Sequence, residues 1–317
     1  MIARFTLGLS LLGLACGSAP ENTGTARQGI SGGEPAPDLN GVVAVINFAG
    51  GACSGSLISP RLVLTARHCV ADTMGEERAV VCGQTPWVAP DSPGALFVVP
   101  LPEITDEPKD YLGVAALRLA DPPDSDFCGT DVVLLVLKEP LQGVTPLTPR
   151  LDQDAVAGET FTAAGYGVDE SLPDTPSGIR KQLGGLEVDC MGTDCGFADI
   201  RANEWLGSTG PCQGDSGGPA LDSEGRVFGV LSRGTSGCTS PVYGGVASRA
   251  EWLKAEARAA AQGNESPPEW ACAGSSACER PEVEETGCTM ARTARPGAAW
   301  YLGAALALFA CCRRRRA

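Results

Sequence analysis

The chain is short of several things from which binding proteins and enzymes are built. Among its 317 residues there is one histidine, His68. Zinc centres assembled from imidazoles are therefore excluded. Centres built on close thiolate pairs are excluded too, because no Cys-x-x-Cys occurs. Basic residues are scarce: 24 Lys and Arg face 38 Asp and Glu, a net charge of −14. A field of that sign repels phosphate and removes nucleic acid as the principal partner. No internal repeat, calcium loop or cofactor motif is evident, so neither metal nor cofactor is expected. Long apolar runs are missing as well. The longest, residues 297–312, would rise about 24 Å as a helix, less than a roughly 30 Å hydrocarbon core.

What is present points outside the cytosol. Fourteen cysteines are many for a reduced compartment, and 41 Gly with 24 Pro suit short strands joined by turns. Residues 1–16 carry Arg4, an apolar run from Phe5 to Ala15, and Cys16. That is the layout of an export signal, cut either before Cys16 with lipid on its thiol or after Gly17. Residues 17–29, rich in Gly, Ser, Thr and Ala, read as a propeptide. Residues 262–287 hold Pro267, Pro268 and many acids and read as an acidic linker. The end of the chain places Gly287-Cys288 before the apolar stretch and Arg313–Arg316 after it. This order resembles the sorting tails of myxobacterial surface proteins. The resemblance implies that residues 288–317 are a tag, handled by sorting machinery, on a product held at the cell surface or outer membrane or released from it.

Between the ends, residues 30–261 alternate short apolar runs with Gly, Pro and Asp turns. The runs Val42–Phe48, Leu62–Leu64, Val114–Leu119, Val132–Leu137, Phe161–Ala164 and Val227–Leu231 read as strands. Only residues 249–261 read as helix, with Trp252, Ala255 and Ala259 on one face. Pattern alone leaves antiparallel barrels and a sandwich both open.

Three segments carry chemistry. His68 follows the run Leu62–Leu64, inside Thr65-Ala66-Arg67-His68-Cys69. Asp131 opens the run Val132–Leu137, where a carboxylate is either a cap or a desolvated partner for an imidazole. Gly214-Asp215-Ser216-Gly217-Gly218-Pro219 surrounds a serine with glycines, which permit a sharp turn and inward-facing amides. Together they resemble the trypsin/chymotrypsin family of serine endopeptidases, from Ile30-Ser31-Gly32-Gly33 to about Ala261. Ala66-Arg67-His68-Cys69 matches the family's Ala-Ala-His-Cys with Arg substituted. Asp131-Val132-Val133-Leu134-Leu135 matches Asp-Ile-Ala-Leu-Leu, and Gly214 to Pro219 matches the nucleophile motif at each position. Ser232-Arg233-Gly234 is similar to Ser-Trp-Gly, with Arg for Trp.

The resemblance implies an all-β fold of two antiparallel six-stranded barrels with a short C-terminal helix. It implies Ser216 as nucleophile, His68 as base, Asp131 as orienting acid supported by Ser232, and the amides of Gly214 and Ser216 as oxyanion donors. Protein or peptide substrates follow. Gly210 is expected to floor the primary pocket, with Gly234 and Gly245 as walls. A cut before Ile30 by an unidentified protease is expected to free an ammonium for Asp215. By the same resemblance Cys53 pairs with Cys69 and Cys212 with Cys238. Cys82 and Cys128 are left to each other, and Cys190–Cys195 and Cys272–Cys278 close short local loops. Two other readings fit the residues less well. A catalytically silent surface binding or adhesion module on this fold usually lacks a triad member, whereas all three are present. An α/β-hydrolase esterase needs a helix after its serine elbow and a histidine after the serine; here Pro219 follows and His68 precedes.

Overall fold

The computed structural model describes residues 30–278, apart from 50, 74–79, 168–177, 197–198, 236, 263–264 and 274–277. The export signal, propeptide, tag and distal linker lie outside the described residues.

Valine-rich runs make the first barrel. Val42–Asn47, Gly51–Ser59, Leu62–Thr65, Val133–Leu137, Leu112–Leu119 and Leu96–Val99 close into an antiparallel ring in that order. Val42–Asn47 is buried at all six positions rather than alternately. Its two faces have different tasks. Val43 and Val45 enter the barrel core with Leu57, Leu64 and Leu135, while Val42, Ala44 and Ile46 lie with Ala164 and Tyr166 of the second barrel. A strand covered on both sides must be apolar throughout, which its sequence is.

The second ring runs Lys181–Met191, Thr160–Gly165, Pro219–Leu221, Val227–Thr235, Thr239–Gly245 and Glu204–Gly207, and the last strand pairs back to the first. Glu34–Pro35 adds an edge to Lys181–Met191. Aromatic residues form only 5% of the chain, yet four converge in this core. Trp205 stacks on Tyr243 at 4.2 Å and on Phe228 at 5.2 Å, and Phe161 meets all three edge-on. Such pairing adds roughly 1 kcal/mol per contact beyond area burial. Gly229 leaves room for it, because a Cβ there would strike the Trp205 ring.

One buried cation joins the barrels. Arg180 is 1% exposed and donates to the carbonyls of Ala36, Pro37, Val42 and Pro100 and to the Tyr166 hydroxyl. Each guanidinium nitrogen finds an oxygen, so none of the three is buried without a partner.

Two expectations need correction. The helix, Ala250–Ala260, buries Leu253, Ala257 and Ala260, not Trp252, Ala255 and Ala259. Leu253, Ala257 and Ala260 reach the core cluster, Trp252 packs against its edge half-buried, and Ala255 and Ala259 are exposed. The acidic linker is not free from residue 262 onward. A second short helix, Glu269–Cys272, folds back on the first. Ala271 is fully buried, Trp270 Nε1 donates to Ile58 O at 3.2 Å, and Glu265 pairs with Arg61 at 3.0 Å. Composition concealed this because two apolar residues suffice for the docking. No helix among the described residues is long and apolar enough to cross a membrane.

Releasing Trp270 and Ala271 exposes apolar surface worth about 2 kcal/mol. A chain ending at residue 261 is therefore expected to melt roughly 4–8 °C below one ending at residue 278. Equal midpoints in calorimetry would contradict the docking.

Candidate active site

The strand Leu62–Thr65 delivers the chain into a single 3-10 turn, Arg67–Cys69, and His68 stands on that turn. Two bonds fix the turn. Cys53–Cys69 ties it to the neighbouring strand, and the His68 N–H donates to Asp131 Oδ1 at 2.8 Å. The other carboxylate oxygen, Oδ2, lies 2.8 Å from His68 Nδ1 and accepts from Ser232 Oγ at 2.6 Å. An acceptor-only partner makes Nδ1 the protonated nitrogen, leaving Nε2 as the basic one.

Asp131 is 3% exposed, and its surroundings decide its charge. Burial pushes the carboxyl up, but the His68 charge and the hydrogen bonds from His68 and Ser232 outweigh this and hold it below the usual carboxylate range. For His68 the order is similar. Burial pushes the imidazole down, the Asp131 charge and bond push it up further, and the Arg233 cation opposes them, with a net rise. Phe127 lies against the imidazole, ring centroids 6.1 Å apart, and Trp87 stacks on its other side at 4.7 Å.

Ser216 comes from the second barrel and meets this turn. Its carbonyl accepts from Ser54 N at 2.8 Å and lies 3.7 Å from Cys69 Sγ. Gly214 and Gly217, at φ +90° and +80°, turn the segment through left-handed backbone. At Gly217 a Cβ would run into Thr65 and Ser54. Among the described residues the N–H groups of Gly214 and Ser216 donate to no protein acceptor, whereas those of Asp215, Gly217 and Gly218 do. Two undirected amides beside a serine hydroxyl are what a developing oxyanion requires.

Ile30 and Asp215 line one small void with Ala163, Ala164, Leu231 and Tyr243. Ile30 is fully buried, and Ser31 N donates to Gly210 O at 3.0 Å. Asp215 accepts from Gly167 N at 2.8 Å and Cys212 N at 2.9 Å. Burial raises its carboxyl to about 7 despite these amides and the Lys181 charge.

A cavity of about 370 Å³ opens beside Ser216, walled by Leu231, Arg233, Gly234, Pro241 and the Cys212–Cys238 bridge. Gly234 lines it, and Gly210 and Gly245 are not among its lining residues. A Cβ at Gly210 would face Leu183, while Gly245 sits opposite Gly229 with its N–H on Asn203 O at 2.8 Å. Pro241, which packs against Gly234, takes the wall position, because the turn after Cys238 sets the register of Thr239–Gly245. Among the described residues no carboxylate lines the cavity, and Arg233 is the one charged residue that does.

Cys82–Cys128, Cys190–Cys195 and Cys272–Cys278 are also bridged. In the two clusters with metal-like proximity, Cys53/His68/Cys69 and Cys82/Asp126/Cys128, both sulfurs are committed to disulfides and offer no thiolate.

Several residues escaped sequence reasoning. Gly165 and Gly167 cradle Asp215, for a Cβ at either would collide with its carboxylate; the Gly-Tyr-Gly spacing was the available signal. Arg67 is fully buried, lies 4.6 Å from the Trp87 ring, and donates to Pro122 O, Pro123 O and Ser125 Oγ, thereby holding the segment that leads to Asp131. Glu204, 1% exposed, had no signal in the sequence.

The chain has relatives of known family. The trypsin family model matches residues 30–254. Human (Homo sapiens) granzyme M is 30% identical over 269 residues, covering 77% of this chain and 95% of its own. Kallikrein-1 of Mus musculus is 29% identical over 65% of this chain and 79% of its own, and trypsin zeta of Drosophila melanogaster 26% over 64% and 71%. With two six-stranded barrels and a match over most of its length, this chain belongs to the trypsin family and is a serine-type endopeptidase.

Proposed function

We propose that the protein is an exported endopeptidase that cleaves by an acyl-enzyme route using Ser216, His68 and Asp131, after activation by a cut before Ile30. The observation that carries this reading is the grip of Asp131 on both the backbone N–H and Nδ1 of His68. His68 Nε2 takes the Ser216 proton as Oγ attacks the scissile carbonyl carbon, and the carbonyl electrons move to its oxygen. The amides of Gly214 and Ser216 receive that oxyanion; one such donor is worth about 3 kcal/mol. Collapse breaks the C–N bond, and the imidazolium gives its proton to the leaving amine. Water then repeats the sequence on the acyl-serine and restores the hydroxyl. With one histidine in the chain, no other imidazole can serve.

Activation follows from the buried Asp215. In the uncut chain its carboxyl lies in a void without a facing ammonium from Ile30. A cut before Ile30 creates that ammonium beside it, and an ion pair forms where an isolated charge was costly. Gly29 before the cut gives no basis for a tryptic activator. Five disulfides suit an oxidising compartment. The Gly-Cys, apolar and Arg-rich order of residues 287–316 supports surface attachment by the sorting tag.

Three outcomes are expected. First, Ser216→Ala or His68→Ala lowers kcat/KM on the order of 10⁶-fold, and fluorophosphonate labels the wild-type serine only after N-terminal sequencing finds Ile30 first. Absence of label on confirmed processed protein refutes the catalytic reading. Second, a peptide library returns large apolar or neutral residues before the cut bond, since the pocket has no carboxylate for Arg or Lys. A profile led by Arg would falsify that assignment. Third, stability of the uncut chain depends on Asp215. Its folded value near 7 exceeds the unfolded 3.8, so the unfolded chain ionises first and folding loses up to about 4 kcal/mol as pH rises through that window. In the Ser216→Ala background, Asp215→Asn should gain stability over Asp215 as pH rises, measured by urea unfolding. A gap independent of pH would show the carboxylate already compensated.

A further inference from the structure

Glu204 opens a strand of the second barrel, yet its bonds are directed toward the segment that carries Asp131. Oε1 accepts the Gly129 N–H at 2.8 Å, two residues before Asp131, and Oε2 accepts Arg201 N at 2.8 Å. Arg233 grips the same carboxylate as a fork, Nη1 to Oε1 at 2.6 Å and Nη2 to Oε2 at 3.0 Å. Arg233 Nη1 also reaches Ser232 Oγ at 3.3 Å, and that hydroxyl donates to Asp131 Oδ2. Asn203 and Arg249 secure the Gly129 carbonyl from the other side.

A buried ion pair is poor evidence for stability, because desolvation consumes most of its Coulomb energy. What distinguishes this pair is where its bonds end. One path leads through Gly129 to the backbone before Asp131. The other leads through Ser232 to the carboxylate itself. From this geometry we propose that the Glu204–Arg233 pair is a positioning device which fixes Asp131, and through it the His68 imidazole, for reaction at Ser216. The inference rests on the triad reading above. It gives the arginine of Ser232-Arg233-Gly234 a task beyond lining the pocket.

The test uses the processed full chain and a peptide amide with a neutral residue before the cut bond. Glu204 lines no part of the pocket. Glu204→Gln should therefore lower kcat roughly tenfold with KM within twofold, the scale of a sub-ångström misplacement. It should also move the acid limb of the kcat/KM profile to lower pH. The charged groups facing the dyad are Asp131 itself, Arg233 on the imidazole and Arg67 on Asp131. Without Glu204 the Arg233 cation acts uncompensated against the imidazolium, and a looser Asp131 supports it less. The double variant Glu204→Met/Arg233→Met removes both charges. It also leaves the Gly129 and Arg201 amides without their acceptor, so it should melt below the wild type yet, assayed where circular dichroism shows it fully folded, keep the kcat deficit, which separates positioning from folding. Double-variant kcat within twofold of the wild type, or an unmoved acid limb in Glu204→Gln, overturns the proposal. Fluorophosphonate separates the levels: an unlabelled wild type overturns the triad reading and this inference together, and a labelled wild type with unaffected variants overturns this inference alone.

Discussion

The arrangement depends on keeping one carboxylate charged where water does not reach. Asp131 is 3% exposed, and an isolated anion there would take up a proton rather than remain ionised. Donors prevent this: the His68 amide, His68 Nδ1 and the Ser232 hydroxyl share its two oxygens. Two come from one residue, His68, and the third from Ser232, about a hundred residues from Asp131. The first barrel supplies histidine and aspartate from adjacent, paired strands, Leu62–Thr65 and Val133–Leu137. The second barrel supplies the hydroxyl. Only the joined molecule meets the electrostatic demand, so the site belongs to the contact between barrels and to neither alone.

The contact is correspondingly well defined. Val42, Ala44 and Ile46 present a smooth apolar face to Ala164 and Tyr166. Arg180 spends its whole fork on carbonyls and the Tyr166 hydroxyl. Ser54 serves both sides, donating to Gly214 O at 2.8 Å while accepting from Tyr166 N at 2.9 Å. These bonds are local and directional, whereas the apolar face supplies most of the driving force. The division is sensible, because hydrophobic burial has no register and the segment around Ser216 needs one.

Sequence motifs pointed to the candidate catalytic residues because their chemistry demands particular neighbours: glycines around Ser216, and an apolar strand next to each of His68 and Asp131. Runs of valine and leucine likewise marked six strands. The strands missed are those with one covered face or with small residues. Lys181–Met191 carries Gly184 and Gly185 in its middle, and Gly51–Ser59 begins with Gly-Ala-Cys-Ser-Gly. Neither reads as an apolar run, although each holds a central place in its barrel. Pocket geometry was also hidden. Gly245 and Pro241 are four residues apart, and only the register after Cys238 decides which one faces the cavity. Glu204 and Arg67 were illegible for a different reason. A charged residue in a sequence reads as surface, and only three-dimensional partners reveal it as buried.

The bond between His68 Nδ1 and Asp131 has a spectroscopic consequence. The molecule contains one imidazole ring. The proton held at 2.8 Å between nitrogen and carboxylate has no counterpart elsewhere in the chain, so its resonance needs no assignment. A one-dimensional proton spectrum of unlabelled material would thus watch the candidate site directly.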